Sequence, residues 1–154
     1  MKKNIRTGIK ILVINGPNLN LLGSRDPGNY GLKSLTEINK TLLNLAGDEK
    51  VSLVFFQSNH EGNIIDFLQL DSSRKAQGIL INPGALTHYG YSLRDALADT
   101  GLPVVEVHLS DINHREAFRK ITVLEGIVHE KVTGLKEKSY SLGLKKLINI
   151  IRSL

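Results

Sequence analysis

The chain is 154 residues long, enough for one domain that buries about two-thirds of its unfolded surface without a disulfide or metal staple. With no cysteine it has no disulfide framework, no thiolate nucleophile and no cysteine-ligated zinc or iron–sulfur site. The net charge of +5, from 20 Lys and Arg against 15 Asp and Glu, suits nucleic acid or a small anion. Lysines gather at the two ends, and four Tyr, four Phe and no Trp leave little for base stacking. A solvated basic surface that attracts anionic metabolites is therefore expected, with no nucleic-acid partner.

Residues 1–9 read as a flexible N-terminal extension of a single domain spanning 1–154. Met1 to Lys10 is basic, but only Ile11–Ile14 follows as an apolar run, too short for a secretory or membrane-spanning segment. A cytoplasmic protein without a membrane partner is expected. The Ile11–Ile14 run suits a buried parallel strand, and it empties into Asn15–Gly31, a loop rich in asparagine and glycine. Ligands of open α/β sheets sit beyond the carboxyl ends of strands, so this loop lies where a site is expected. Within it a turn around Pro27 and Gly28 can bring the Arg25 guanidinium beside the Tyr30 phenol. A phenol titrates near 10, and in a closed loop with little water the arginine charge favours the tyrosinate, making a base. The same letters also fit a loop whose Tyr packs and whose Arg is solvated, and Asn15, Asn18 and Asn20 also fit turn caps. Gly23, Gly28 and Gly31 tolerate large backbone changes, so the segment is expected to act as a lid.

Ser34-Leu-Thr-Glu37 is a capping box opening a helix with Leu35, Ile38, Leu42 and Leu45 on one stripe. A strand follows at Val51–Phe56. A second helix is expected from about Glu61 to Arg74 with Ile64, Ile65 and Leu68 inward, then a strand at Gly78–Ile81. The sequence Asn82-Pro83-Gly84-Ala85 places an amide side chain at that strand's end, suited to hydroxyls or a carboxylate. Thr87 or His88 is expected to open the next helix as an anion site or a plain N-cap. A helix over about Ser92 to Asp99 stops at Gly101-Leu-Pro103. Asp66 and Asp95 lie on helices, as structural or interfacial pairs.

The fourth strand, Pro103–Val107, leads into Val105-Glu-Val-His-Leu-Ser110. Glu106 and His108 alternate on one face with Cα atoms about 6.5–7 Å apart. A carboxylate there raises the pKa of the imidazole and suits it to general-acid work, although a strand-end histidine also serves simply to satisfy a backbone group. In Asn113–Arg119, Arg115 and Arg119 stand at i, i+4, so one can reach a ligand; a surface helix with Glu116 between them fits equally well. A fifth strand is expected at Gly126–Val128 and a last helix from about Ser139 to Ile151 carrying Leu142, Leu147, Ile148 and Ile151. Strands alternating with helices imply a flavodoxin-like, doubly wound α/β domain, a five-stranded parallel sheet with helices on both faces. No Walker, dinucleotide or zinc-protease motif is present, and no G-x-S-x-G elbow.

Six stretches in order, residues 11–31, 57–66, 81–88, 93–96, 105–110 and 115–119, together resemble the type II 3-dehydroquinate dehydratases. The resemblance implies a flavodoxin-like fold assembled as trimers, usually four in a dodecamer, and a cofactor-free elimination of water from 3-dehydroquinate to 3-dehydroshikimate through an enolate. It implies that Tyr30, activated by Arg25, takes the proton beside the ketone and that Asn18 holds the water that stabilises the enolate. His108, oriented by Glu106, protonates the departing hydroxyl. Asn82, His88 and Arg119 bind substrate hydroxyls, while Leu109 and Ser110 hold the carboxylate, chiefly by backbone N–H. Asp95 is a candidate to reach a neighbouring subunit's loop.

The chain departs from that pattern at Asp26, where the family usually has Glu, at Asp111 (usually Asn) and at Asn113 (usually His). After Arg119 the usual glycine-rich strand end is missing from Gly126–Tyr140, which bears on assembly more than on chemistry. Two rivals stand beside this reading: a non-catalytic module binding flavin or an anionic metabolite, and a basic nucleic-acid partner. A yellow colour, or salt-dependent retention on nucleic acid, would reveal either.

Overall fold

The computed structural model describes residues 8–154. Its centre is a five-stranded sheet in the order β2-β1-β3-β4-β5, with every pair parallel. The strands are β1 (Lys10–Asn15), β2 (Ser52–Gln57), β3 (Gly78–Asn82), β4 (Val104–Val107) and β5 (Glu130–Val132). Parallel strands need crossovers: a single turn, α1 (Pro27–Tyr30), with α2 (Leu35–Glu49) joins β1 to β2, α3 (Glu61–Gln69) joins β2 to β3 and α4 (Tyr91–Asp99) joins β3 to β4, while β4 reaches β5 through 3-10 turns and α5 (Lys138–Ser153) follows the last strand.

Alternation along β1 sends Ile11 and Val13 to one face and Leu12 and Ile14 to the other, all buried. On the first face pack α2, through Ile38 and Leu42, and α5, through Leu144, Leu147 and Ile148. On the second lie α3, through Ile64 and Leu68, and α4, through Leu93 and Leu97. The capping box forms as expected: Ser34 Oγ accepts the Glu37 N–H at 3.2 Å and Glu37 Oε2 accepts the Ser34 N–H at 2.8 Å. In α5 Leu142 turns outward, and Gly143 faces the sheet; a Cβ there would lie 2.5 Å from Val107 Cγ1.

Three expected elements differ. The second helix stops at Gln69 rather than Arg74, because Leu70 turns extended at ψ 142° and Asp71-Ser-Ser73 favours turns; the Ser73 N–H closes one onto Leu70 O at 2.9 Å. The fifth strand lies at Glu130–Val132, not Gly126–Val128, where Ile127 and Val128 instead pack beneath the sheet's second face. Asn113–Arg119 is not a helix but two 3-10 turns, Ile112–His114 and Ala117–Lys120, with extended backbone at Arg115 between them. Of the expected N-terminal extension, residues 1–7 lie outside the described residues, while Ile9 accepts the Ser52 N–H at 2.8 Å and packs on the core. Among the described residues no helix is long and apolar enough to cross a membrane.

Candidate active site

The order reverses between β1 and β3, where the chain leaves one strand for β2 on one side and the other for β4 on the opposite side. Connections on the two sides diverge there and leave a crevice at the carboxyl ends. The loops after β1 and β3 meet in it. The Gly16 N–H donates to Asn82 O at 2.8 Å, and a Cβ on Gly16 would sit 2.3 Å from Pro83 O. Only a residue without a side chain permits that approach.

The cavity here is lined by Asn18, Arg25, Tyr30, Asn82, His88, His108, Leu109, Ser110 and Arg119, and also by Arg115. Nine of the eleven anticipated residues thus converge; Glu106 and Asp95 do not line the cavity. Glu106 is wholly buried behind the imidazole, with His108 Nε2 2.6 Å from its Oε1 and Thr87 Oγ1 donating to the same oxygen at 2.6 Å. Burial alone would push this carboxyl up, but the His108 and Thr87 hydrogen bonds and the Lys131 charge outweigh it and hold the pKa below the usual value. Thr87 therefore orients a carboxylate instead of opening a helix. The short 3-10 helix Gly84–His88 ends there, and α4 begins at Tyr91 after Gly90. Asp95 is exposed on α4, outside the cavity of its own chain. The neighbouring Arg94 pairs not with it but with the Val123 and Glu125 carbonyls at 2.6 and 2.7 Å.

Tyr30 ends α1, which Asp26 caps by accepting the Asn29 N–H at 3.4 Å. Gly23 and Gly31 take positive φ (89° and 84°), but Gly28 does not; it is an ordinary residue of the turn. Arg25 lies over the ring face, 4.9 Å from its centroid. The hydroxyl's hydrogen-bond donor is instead Arg115, whose Nη1 stands 3.2 Å away. That bond to Tyr30 is the main reason the Arg115 pKa is raised. Glu116 lies 3.0 Å from Arg119 Nε and 3.6 Å from Arg115 Nε, so one carboxylate spans both arginines.

Asn82 is engaged from below. Its Nδ2 donates to the Tyr140 hydroxyl at 2.9 Å, which donates to Asn15 Oδ1 at 2.6 Å, while Asn82 Oδ1 accepts the Gly84 N–H at 3.1 Å. Tyr140 is buried, and desolvation pushes its pKa far up, so it stays a neutral phenol that accepts from the Asn82 amide and donates to that of Asn15. Sequence reasoning missed Tyr140; Asn15 at a strand end was its only signal. His88 Nδ1 stands 2.5 Å from Ile121 O and donates to that carbonyl, which leaves Nε2 for a ligand. Asn18 adopts left-handed backbone at φ 68°, and its N–H donates to Asn59 Oδ1 at 2.9 Å. The Leu109 and Ser110 carbonyls accept bonds from Lys136 and Gly134, but among the described residues neither of their own N–H groups donates to protein. Two free amides, three arginines and an imidazole suit a small polyhydroxylated anion. Among the described residues no group of three His, Asp or Glu side chains could hold a metal ion.

A flavodoxin-like α/β protein with an arginine-rich cavity at its topological switch point is the class that fold and site define. A model of the family described as dehydroquinase class II matches residues 9–148. A 3-dehydroquinate dehydratase of Halothermothrix orenii is 50% identical over 143 residues, 93% of this chain and 96% of the relative. That of Bacillus pumilus is 46% identical over 138 residues, covering 90% and 93%. The crystal structure of a type II dehydroquinase from Butyrivibrio crossotus superposes with a TM-score of 0.87 at 41% identity, over 91% of this chain and 97% of that one. The chain belongs to the class II dehydroquinase family.

Proposed function

We propose that the protein eliminates water from 3-dehydroquinate to give 3-dehydroshikimate, with Tyr30 as base and His108 as acid and no cofactor. The observation that carries this reading is the Arg115 guanidinium 3.2 Å from the Tyr30 hydroxyl, in a cavity shared with the Glu106-backed His108. Arg25 and Arg115 set two guanidinium groups about the one phenol, 4.9 and 5.8 Å from its ring centroid. The tyrosinate takes the proton from the carbon beside the ketone, and the electron pair moves onto the ketone oxygen as an enolate, next to a water held by Asn18. Collapse of the enolate expels the hydroxyl, which takes a proton from His108 and leaves as water. Because Nε2 of His108 faces Glu106, Nδ1 is the nitrogen that serves the substrate. The Leu109 and Ser110 amides take the carboxylate; Asn82, His88 and Arg119 take hydroxyls.

Assembly into trimers, four to a dodecamer, with Asp95 reaching a neighbour's loop, and a place in the cytoplasm belong to the same reading. The test is addition of 3-dehydroquinate to the purified protein. An absorbance rise from the conjugated product, lost in Tyr30→Phe, is expected. A yellow protein with no absorbance rise would favour the flavin-binding rival.

A further inference from the structure

Lys136 takes no part in the steps above. It precedes α5 by two residues, and its backbone sits in the left-handed region at φ 51°, a conformation unfavourable for a residue with a Cβ. Two bonds hold the segment there: the Lys136 N–H donates to Leu109 O at 3.0 Å and the Gly134 N–H to Ser110 O at 3.1 Å. From this anchored position the Lys136 ammonium donates to the Gly28 carbonyl at 2.5 Å. Gly28 belongs to α1, a single turn whose terminal carbonyls lack intrahelical partners. The two segments also touch at Gly31, directly after Tyr30, where a Cβ would lie 3.3 Å from Glu137 Oε2 and 3.5 Å from Lys136 Cδ.

We infer that Lys136 is a positioning residue: a strut whose backbone is fixed to Leu109–Ser110 and whose side chain holds the Tyr30 turn over the cavity through Gly28. The inference rests on the reading in which Tyr30 is the base and the 109–110 amides take the carboxylate. It places base and carboxylate site on one mechanical link. The strut needs a long side chain ending in a cation, because a charge-assisted bond at an exposed site is stronger than a neutral one. Lys136→Met keeps the length and removes the donor; Lys136→Arg keeps both cation and donor.

Hydrogen exchange of the Tyr30 and Gly31 amides, read with steady-state kinetics and a thermal melt, tests the strut. Loss of one such bond should speed exchange in Lys136→Met about fivefold and lower kcat by a similar factor, with KM within about twofold and the melt unchanged. Lys136→Arg should recover both. Unaltered exchange in Lys136→Met, or faster exchange with unaltered kcat, would overturn the inference. Were Tyr30→Phe to keep full kcat, the base assignment would fail while the exchange result stood, so the two failures are distinguishable.

Discussion

Two arginines approach Tyr30 in different ways, and the difference has kinetic consequences. Arg25 faces the ring, whereas Arg115 donates to the oxygen that carries the charge in the tyrosinate. A hydrogen bond from a charged donor is worth about 1.5–3 kcal/mol, so Arg115→Met should cost about tenfold to a hundredfold in kcat, more than Arg25→Met. A kcat in Arg115→Met no lower than that of Arg25→Met would contradict the assignment. Glu106 makes the complementary test in stability. Its pKa is lowered by folding, so its ionised form stabilises the native state above the ordinary carboxylate pKa, and that contribution is lost as pH falls through the lower folded value. Glu106→Gln should therefore melt lower than the parent near neutral pH, with the gap closing in acid; a constant gap would show that the charge is not what matters. Arg25, Tyr30 and His108 were readable because loop composition and i, i+2 spacing are local signals. Arg115 was readable only as one of a pair on an assumed helix, and extended backbone between two turns is what brings it to Tyr30.

At the scale of elements, the legible parts are those whose own residues decide them. The Ser34 capping box and its apolar stripe needed nothing from outside α2. The fifth strand did: Gly126-Ile-Val-His129 has the better strand composition, but the ladder against β4 is joined only from His129, whose N–H donates to Val104 O at 2.8 Å. Partners across the sheet thus override composition. The contact between the β1 and β3 loops depends on Gly16 in the same non-local way. Gly16→Ala must displace Pro83 from a 2.3 Å approach, an overpacking that should cost about 1–3 kcal/mol in a denaturant titration. Asn82 should move with it, so activity is expected to fall beyond what stability explains. A fully active, fully stable alanine variant would mean that the loops part without consequence. Closure of the Arg25–Gly31 segment is an independent expectation. Trypsin should cut after Arg25 early in the free protein and slowly with a saturating unreactive substrate analogue, and equal rates would mean the loop does not close.

For the whole molecule, alternation of strands and helices was enough to call for a doubly wound sheet, but strand order came only with the register of each pair. That order sets the switch point and so the cavity. What lies around the cavity mouth bears on assembly. Tyr89 and Tyr91 are 59% and 65% exposed, and Phe118 and Ile121 are 57% and 61% exposed. His88 ties the two pairs together, through Ile121 O and an edge contact with Phe118 at 6.3 Å between ring centroids. Clustered exposed side chains of this size mark an interaction face more often than a solvated one, and Asp95 lies exposed on the helix that Tyr91 begins. An oligomer, trimer-based if the family resemblance extends to assembly, should appear in light scattering at assay concentration. If Asp95 completes a neighbour's site, Asp95→Ala should lower kcat while leaving the scattering mass unchanged, because a buried cross-subunit contact orders a loop without being the bulk of the interface. A fully active monomer would refute the need for any neighbour, and an Asp95→Ala oligomer with the parent's kcat would confine the partner's role to stability.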